Sequence, residues 1–374
     1  MPDKRAYNFS AGPAVLPEPV IEQAQKDLFN FRGSGMGVCE LSHRGPEFDA
    51  ILEEARADAR TVGKVPDNFQ ILFLQGGATT QADTIPMSWL PEGTTADYIN
   101  TGKWADDAIK EARLVGKGSV NVAASTKEIN YQRLPYDNEY SFTQNAAYCL
   151  YVSNNTIYGT RFVKPPKTDA PIIADMSSEM YARPIDWEPL SMTYAGAQKN
   201  LGPSGQVMCC IRDDFLAKAP KENLGRMFDY NIQAQKESRF NTPNTFAIYL
   251  MGQTFKWILK EFGTLEQVEQ FNNEKAALIY DTLDNSDFYT PHVTEPDHRS
   301  VMNIPFKAPT PELDAEFVNK AHQQGLTTLK GHRSTGGMRA SIYNAMPREG
   351  CQALADFMKT FEREHANKST AAAN

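Results

Sequence analysis

Short apolar runs alternate with stretches in which apolar and charged residues recur every three or four positions. This alternation extends from about residue 46 to about residue 262. The apolar runs predict strands at 69–74, 97–100, 147–152, 171–175, 192–195 and 206–211. The periodic stretches predict amphipathic helices at 46–62, 104–115 and 246–261. Strands that alternate with helices indicate an α/β fold with a mostly parallel central sheet and crossover helices.

The pattern changes after residue 263. A long helix is predicted at 265–283, and further helices are predicted at 311–324 and 347–364. Between them lie predicted strands at 301–306, 325–329 and 338–342. We therefore predict a large domain over residues 1–263, which includes the N-terminal segment, and a smaller α+β domain over residues 264–374.

Composition and charge narrow the classes of partner. The 374 residues carry a net charge of -8, with 41% hydrophobic and 22% charged residues, a balance typical of a globular protein. There is no long basic run, so we expect neither nucleic acid nor an anionic membrane as the main partner. No run of about 18 apolar residues predicts a membrane span, and residues 1–10 lack the apolar core of a signal peptide.

Cysteine and histidine positions bear on the compartment and on metals. The five cysteines are an odd number without metal or redox spacing, which favours reduced thiols and a cytoplasmic location. The six histidines form no ligand pattern such as His-x-x-x-His, so we expect no catalytic metal.

A lysine stands where a hydrophobic run stops and a Gly/Pro turn begins. Lys199 follows the apolar run 192–195 and precedes the turn Gly202-Pro203-Ser204-Gly205. At such a corner the backbone can aim the amine and partly desolvate it, which favours the neutral, nucleophilic form. A Schiff-base lysine needs these properties. A lone lysine in a loop is more often an ordinary surface charge, so this position is a hypothesis that other residues must support.

An aspartate ends the preceding predicted strand. Asp175 closes the apolar run 171–175, and Lys199 follows the run 192–195. The carboxyl ends of parallel strands converge on one crevice, so the carboxylate and the amine are expected to face one ligand. Pyridoxal phosphate requires such a pair, a lysine for the imine and an aspartate that keeps the ring nitrogen protonated. Asp175 could instead cap the next turn.

Four segments have the composition of anion sites. The glycine turn 76–80 follows a strand and precedes a helix-like stretch, so its backbone N–H groups could bind a phosphate. Residues 241–245 open a later helix and could bind phosphate or cap that helix. The segments 41–45 and 330–339 each pair a histidine with an arginine among glycines. Arginine forks suit carboxylate and phosphate, so a shared dianion site is plausible.

Longer stretches of the chain match a known family. The sequence resembles the phosphoserine aminotransferases, class-V pyridoxal-phosphate enzymes of fold type I, over nearly its whole length. The matching stretches are 7–14, 42–45, 95–98, 194–202, 240–243, 329–333 and 336–347. The resemblance implies a large pyridoxal-phosphate domain, a smaller C-terminal domain and a homodimer with active sites at the interface.

The resemblance implies roles for residues around the cofactor ring. Lys199 would hold pyridoxal 5'-phosphate as an imine and shuttle a proton between the substrate and the cofactor. Asp175 would pair with the ring nitrogen, and Trp104 would stack on the ring face. Thr156 would donate to the phenolic oxygen.

It also implies contacts to the cofactor phosphate. In one chain these are Ala78, Thr79 and Gln198, while Asn241 and Thr242 would reach in from the second subunit. Some relatives carry Gly-Gly-Gly-Arg where this chain has Gly-Gly-Ala-Thr at 76–79. An arginine that would help to bind substrate is therefore missing at position 79.

Five further positions are implied as substrate contacts. Arg339 would bind the substrate α-carboxylate. His43, Arg44, His332 and Arg333 would surround the distal anion, with both chains of the dimer contributing. The implied reaction is the reversible transfer of an amino group from L-glutamate to 3-phosphohydroxypyruvate, giving O-phospho-L-serine and 2-oxoglutarate in serine biosynthesis. Use of 4-phosphohydroxythreonine in pyridoxine biosynthesis is a further expectation.

Two alternative functions are also compatible with parts of the sequence. Another class-V enzyme, either a cysteine desulfurase or an alanine–glyoxylate type of aminotransferase, is the nearer alternative. A desulfurase needs a cysteine on a mobile loop, whereas Cys209 and Cys210 lie in an apolar run and Cys351 is predicted at the start of a helix. A non-catalytic carrier of pyridoxal phosphate is the other alternative, and it would have no use for a substrate carboxylate clamp.

Overall fold

A seven-stranded sheet forms the centre of the computed structural model, which describes residues 5–219 and 224–371. Its strands in chain order are β2 (Phe69–Gln75), β3 (Thr95–Asn100), β4 (Ser119–Ser125), β5 (Cys149–Val152), β6 (Ile172–Asp175), β7 (Leu190–Gly196) and β8 (Gln206–Arg212). Across the sheet the order is β2-β8-β7-β6-β5-β3-β4. Strand β8 pairs antiparallel with both β2 and β7, and the other four pairings are parallel. The predicted mostly parallel sheet is confirmed.

Both faces of this sheet are buried. Successive side chains of a strand point to opposite faces, so each strand contributes to two cores. On β8, Cys210 belongs to the core that includes Phe73 and Tyr151, and Cys209 belongs to the core that includes Tyr98 and Met192. Continuous apolar runs are typical of strands buried on both faces. The two adjacent cysteines are therefore packing residues of different cores.

Ten helices occur among the described residues. They are α1 (Glu18–Asp27), α2 (Pro46–Gly63), α3 (Ala78–Trp89), α4 (Lys103–Val115), α5 (Asp213–Leu216), α6 (Tyr230–Gln235), α7 (Thr245–Glu261), α8 (Leu265–Asp284), α9 (Pro311–Gln323) and α10 (Arg348–Ala371). Helices α2 and α7 pack together, as do α3 and α4. Their side chains supply the apolar surface that covers the sheet. None of the described helices is long and apolar enough to cross a bilayer.

The C-terminal part has a smaller core. Strands β9 (Thr290–Pro291), β10 (Asn303–Lys307) and β12 (Met338–Ser341) form an antiparallel sheet of order β12-β10-β9. A third apolar core joins this sheet to α8, α9 and α10.

The N-terminus reaches into this C-terminal part. Strand β1 (Tyr7–Asn8) pairs in parallel with β11 (Leu326–Thr327), and the buried Phe9 belongs to the C-terminal core. The division of the chain at residue 263 stays a prediction. Residues 1–4, 220–223 and 372–374 of the two predicted domains lie outside the described residues.

Candidate active site

The ends of four sheet strands meet at one edge of the central sheet. Asp175 is the last residue of β6, and Lys199 follows three residues after the end of β7. Thr156 follows β5, and Trp104 lies in the first turn of α4 after β3. Because parallel strands end at the same edge, these side chains converge there. They line a cavity of about 520 Å³.

The cavity collects most of the residues that the sequence singled out. Those that line it are Ala78, Thr79, Trp104, Thr156, Asp175, Gln198, Lys199, His332 and Arg339. Other lining residues had no assigned function, namely Ala11, Gly12, Pro13, Lys103, Ile157, Ser177, Ser204 and Gly205. Residues 11–13 are far from the others in sequence, and no local pattern marks them as part of a site. Only their place in the matching stretch 7–14 singles them out.

Lys199 is held and desolvated in this cavity. Its side chain is almost fully buried, and its Nζ donates a hydrogen bond of 2.7 Å to Thr156 Oγ1. Burial lowers the pKa of Lys199 to about 8, although the charge of Asp175 opposes this shift. Roughly a tenth of the amine is therefore neutral at pH 7. Because Lys199 is the donor, the hydroxyl hydrogen of Thr156 can donate to a second acceptor.

Asp175 is a buried carboxylate facing this amine. Burial raises its pKa, while the charge of Lys199 and hydrogen bonds from Ser177 lower it. Its Oδ1 accepts a hydrogen bond of 2.9 Å from the backbone N–H of Ser177. A buried carboxylate of this kind can bind a protonated heterocyclic nitrogen. The indole of Trp104 flanks the amine, with Lys199 Nζ 5.9 Å from the ring centroid.

The glycine turn after β2 provides a second kind of binding group. Gly76 has a φ of 99°, and a Cβ there would lie 2.1 Å from Thr80 Oγ1, so only glycine fits. Helix α3 begins at Ala78, and its first N–H groups lack partners within the helix. Thr79 lies in this same first turn. The N-terminus of α3 therefore offers backbone donors and a partial positive charge to an anion.

Cationic side chains surround the other side of the cavity. Arg339 on β12 donates from Nη1 to the backbone oxygen of Thr156 at 3.0 Å, and burial lowers its pKa. Arg339 takes part in no ion pair with an acidic side chain among the described residues. Burial also lowers the pKa of His332, together with the nearby charges of Arg339, Arg333 and Lys103. The positive charge of Arg339, which no acidic side chain of the described residues compensates, favours an anionic ligand in the cavity.

Five predicted site residues lie outside the cavity of a single chain. Arg44 is exposed and its Nε contacts Nε2 of His43 at 3.2 Å, in a segment that does not line the cavity. Arg333 lies on a neighbouring groove of about 610 Å³, which it shares with His332.

Asn241 lines an adjacent cavity of about 320 Å³, next to the glycine turn. Its Nδ2 donates to Gln75 Oε1 at 3.1 Å, and the backbone oxygen of Thr242 accepts from Gln75 Nε2 at 2.9 Å. The expected contribution of these residues to a site across a dimer interface stays a prediction.

The described residues contain no group of three or more His, Cys, Asp or Glu side chains that could hold a metal ion. All five cysteines are free, and none lines the 520 Å³ cavity. Burial raises the pKa of Cys149, Cys209, Cys210 and Cys351, which disfavours their thiolate forms.

Comparisons with known proteins show the family of the chain. Residues 6–354 match the family described as Aminotransferase class-V. The chain is 47% identical over 357 residues to the phosphoserine aminotransferase of Desulfotalea psychrophila, covering 96% of this chain and 98% of that one. It is 48% identical over 363 residues to the phosphoserine aminotransferase of Pseudomonas putida, with coverages of 97% and 99%.

Solved structures are similar as well. The phosphoserine aminotransferase from Bacillus circulans subsp. alkalophilus superposes with a TM-score of 0.93 at 46% identity, covering 96% of this chain and 99% of that chain. The phosphoserine aminotransferase with bound pyridoxal phosphate from Trichomonas vaginalis superposes with a TM-score of 0.91 at 41% identity, with coverages of 95% and 100%.

Proposed function

The chain belongs to the class-V aminotransferases, and from this premise we propose that it exchanges an amino group between L-glutamate and 3-phosphohydroxypyruvate. The products are 2-oxoglutarate and O-phospho-L-serine, which places the reaction in serine biosynthesis. The enzyme is a pyridoxal-phosphate-dependent aminotransferase. The observation that carries the proposal is the facing pair of Lys199 and Asp175 in a cavity that also holds Arg339, which forms no ion pair with an acidic side chain among the described residues.

The residues of the cavity fit pyridoxal phosphate. When bound, this cofactor supplies an electron sink that stabilises negative charge at the α-carbon of the substrate. Lys199 would bind its aldehyde carbon and Asp175 its ring nitrogen, because the cavity places an amine and a buried carboxylate together. The first turn of α3, with Ala78 and Thr79, and Gln198 would hold its phosphate. Trp104 would cover one ring face and Thr156 would donate to its phenolic oxygen.

Lys199 is also suited to move a proton. With a pKa of about 8, its Nζ can both release and accept a proton near neutral pH. The contact with Thr156 orients Nζ without a permanent ionic partner at hydrogen-bonding distance. We propose that Nζ takes the α-proton from the amino-acid substrate in one half of the exchange, and that it delivers a proton to the α-carbon of the oxo-acid substrate in the other half.

Substrate selection follows from the cationic groups. Arg339 would bind the α-carboxylate, which every amino-acid substrate shares. His332 and Arg333, together with His43 and Arg44, would bind the distal anion. Glutamate and phosphoserine both present such an anion, whereas a neutral side chain would leave these donors unpaired.

We propose that the missing groups come from a second copy of the chain. Within one chain His43, Arg44, Asn241 and Thr242 do not line the 520 Å³ cavity, although segments with these residue types suit anions. Thr79 offers no guanidinium, so the distal anion would depend more on arginines from the partner copy. A homodimer with sites at the interface would bring them in.

The compartment and a second substrate stay predictions. The five free cysteines support a reducing, cytoplasmic location. Use of 4-phosphohydroxythreonine would need the same distal anion site, and a direct assay with that substrate tests it.

A coupled assay tests the proposed reaction. Enzyme supplied with pyridoxal phosphate, O-phosphoserine and 2-oxoglutarate should form glutamate, and alanine should replace O-phosphoserine poorly. A matched reaction with cysteine should release no sulfide, because no cysteine lines the cavity. Equal turnover of alanine and O-phosphoserine would contradict the proposed distal anion site, and sulfide release would favour a desulfurase.

A further inference from the structure

We propose that Tyr343 is a positioning residue that holds residues 11–13 as a wall of the cavity beside Lys199. Through this wall it sets how tightly the amino-acid substrate is held against Arg339. The inference rests on the proposed transamination. It gives a role to residues of the two matching stretches 7–14 and 336–347, in which only Arg339 has been assigned a function so far.

The wall lies beside Lys199 in the cavity. Residues 11–13 line the same cavity as Lys199 and Arg339. Gly12 has a φ of 138°, and a Cβ at this position would lie 3.3 Å from Gln198 Cγ and 3.5 Å from Lys199 Cγ. A Cβ at position 12 would therefore reach the side chain that is proposed to react, which places the wall next to Lys199.

Hydrogen bonds, rather than burial, fix the wall. Gly12 and Pro13 are exposed, so packing contributes little to their placement. The hydroxyl of Tyr343 donates to the backbone oxygen of Ala11 at 2.7 Å. On the other side, the backbone N–H of Ala14 donates to the backbone oxygen of Gln198 at 2.8 Å. The wall thus spans two anchors, one beside Lys199 and one on the segment that follows Arg339.

Tyr343 is itself held rigidly. Its side chain is only 1% exposed, and its hydroxyl oxygen accepts a hydrogen bond of 3.1 Å from Asn303 Nδ2. That donor directs the hydroxyl hydrogen of Tyr343 towards Ala11. Burial raises the pKa of Tyr343, so the hydroxyl stays a donor throughout the physiological range. Because Tyr343 lies four residues after Arg339, one segment both presents the guanidinium and holds the wall of the same cavity.

The chain offers a matched control. Ser341 Oγ accepts the other hydrogen bond of Asn303 Nδ2, at 3.0 Å. Tyr343→Phe and Ser341→Ala therefore each remove one acceptor from Asn303, but only Tyr343→Phe releases Ala11. A difference in KM or in hydrogen exchange between the two variants is therefore caused by the released wall and not by the lost acceptor of Asn303.

Steady-state kinetics and hydrogen exchange of the holoenzyme test the proposal. In Tyr343→Phe we expect KM for glutamate and for O-phosphoserine to rise about tenfold, equivalent to about 1.4 kcal/mol, with a much smaller change in kcat. The backbone amides of Ala11, Gly12 and Ala14 should exchange faster than in the unmodified enzyme. Ser341→Ala should change neither quantity.

Gly12→Ala provides a second test that does not depend on Tyr343. Alanine is strained at a φ of 138°, and its Cβ would lie 3.3 Å from Gln198 Cγ, so the wall should shift away from Gln198 and the same rise in KM is expected. Equal KM values and equal exchange in Tyr343→Phe and Ser341→Ala would overturn the proposal. The exchange comparison does not depend on the substrate, so it tests the wall even if the proposed amino transfer fails.

Discussion

Replacing Thr156 with valine removes one hydroxyl from the cavity and leaves its shape almost unchanged. The residue is buried, and its Oγ1 accepts the 2.7 Å hydrogen bond from Lys199 Nζ. The backbone oxygen of Thr156, which accepts from Arg339, is retained in the variant. The substitution therefore isolates a single contact of the amine.

The expected effect is a lower pKa of Lys199. A hydrogen bond to a charged group contributes about 1.5–3 kcal/mol, roughly twice the value for a neutral pair, so its loss disfavours the protonated amine more than the neutral one. A difference of about 1.4 kcal/mol corresponds to about one pKa unit. The pKa of about 8 in the unmodified, cofactor-free enzyme should then fall to about 7 in Thr156→Val.

Pulse labelling measures this shift. The cofactor-free enzyme is treated briefly with an amine-acylating reagent at a series of pH values, and mass spectrometry gives the labelled fraction of the peptide that contains Lys199. Thr254→Val is the matched control, because Thr254 Oγ1 is a buried donor to Leu250 O in α7, which has no residue in the cavity. It should leave the midpoint near 8. An unchanged or raised midpoint in Thr156→Val would refute the reasoning.

Three further predictions concern charge, backbone and pH. Arg339→Leu should lower kcat/KM for all amino-acid substrates alike by about a hundredfold. Arg44→Leu should lower kcat/KM only for substrates with a side-chain anion. Equal losses for alanine and glutamate in Arg44→Leu would contradict the assignment of Arg44 to the distal anion. Gly76→Ala should weaken pyridoxal phosphate binding in a direct titration more than Gly93→Ala, since both glycines have positive φ but only Gly76 lacks room for a Cβ. In the cofactor-free enzyme the contribution of Lys199 to the unfolding free energy should grow with pH between about 8 and 10.5, because the unfolded chain binds the proton that folded Lys199 has lost. Denaturant titrations should show this as a difference in unfolding free energy between the enzyme and Lys199→Met that increases over this range, since the other buried titratable groups are common to both.

The elements that hold Lys199 and Asp175 could be predicted because they are buried on both faces. Strands β6 and β7 appear in the sequence as continuous apolar runs, and their ends mark the site. Strand β8 runs antiparallel to β7, and the pattern of apolar residues does not show this direction. The length of the connection between the two strands does. Only residues 197–205 connect β7 to β8, which is too short for a crossover between parallel strands.

Other elements have weak local signals. Strand β4 (Ser119–Ser125) is a half-exposed edge strand of small and polar residues, and it was not predicted. The predicted strand 325–329 is wrong in extent, because only Leu326–Thr327 pair with the N-terminal β1. The predicted helix 347–364 continues to Ala371.

Contacts between distant segments could not be predicted from local sequence. The wall formed by residues 11–13 reaches Lys199 because β1 pairs with β11, more than 300 residues away. Its position depends on tertiary packing in the C-terminal core, which no periodicity near residue 11 encodes. The placement of Asn241 beside Gln75 is also a tertiary contact, and its sequence suggested only a helix cap or an anion ligand.

The central claim is that Lys199 holds the cofactor. Reduction of the holoenzyme with borohydride, followed by digestion and mass spectrometry, tests it most directly. The account predicts one pyridoxyl-phosphate label, on Lys199. A label on Lys103, the other lysine that lines the cavity, or no label at all would contradict it.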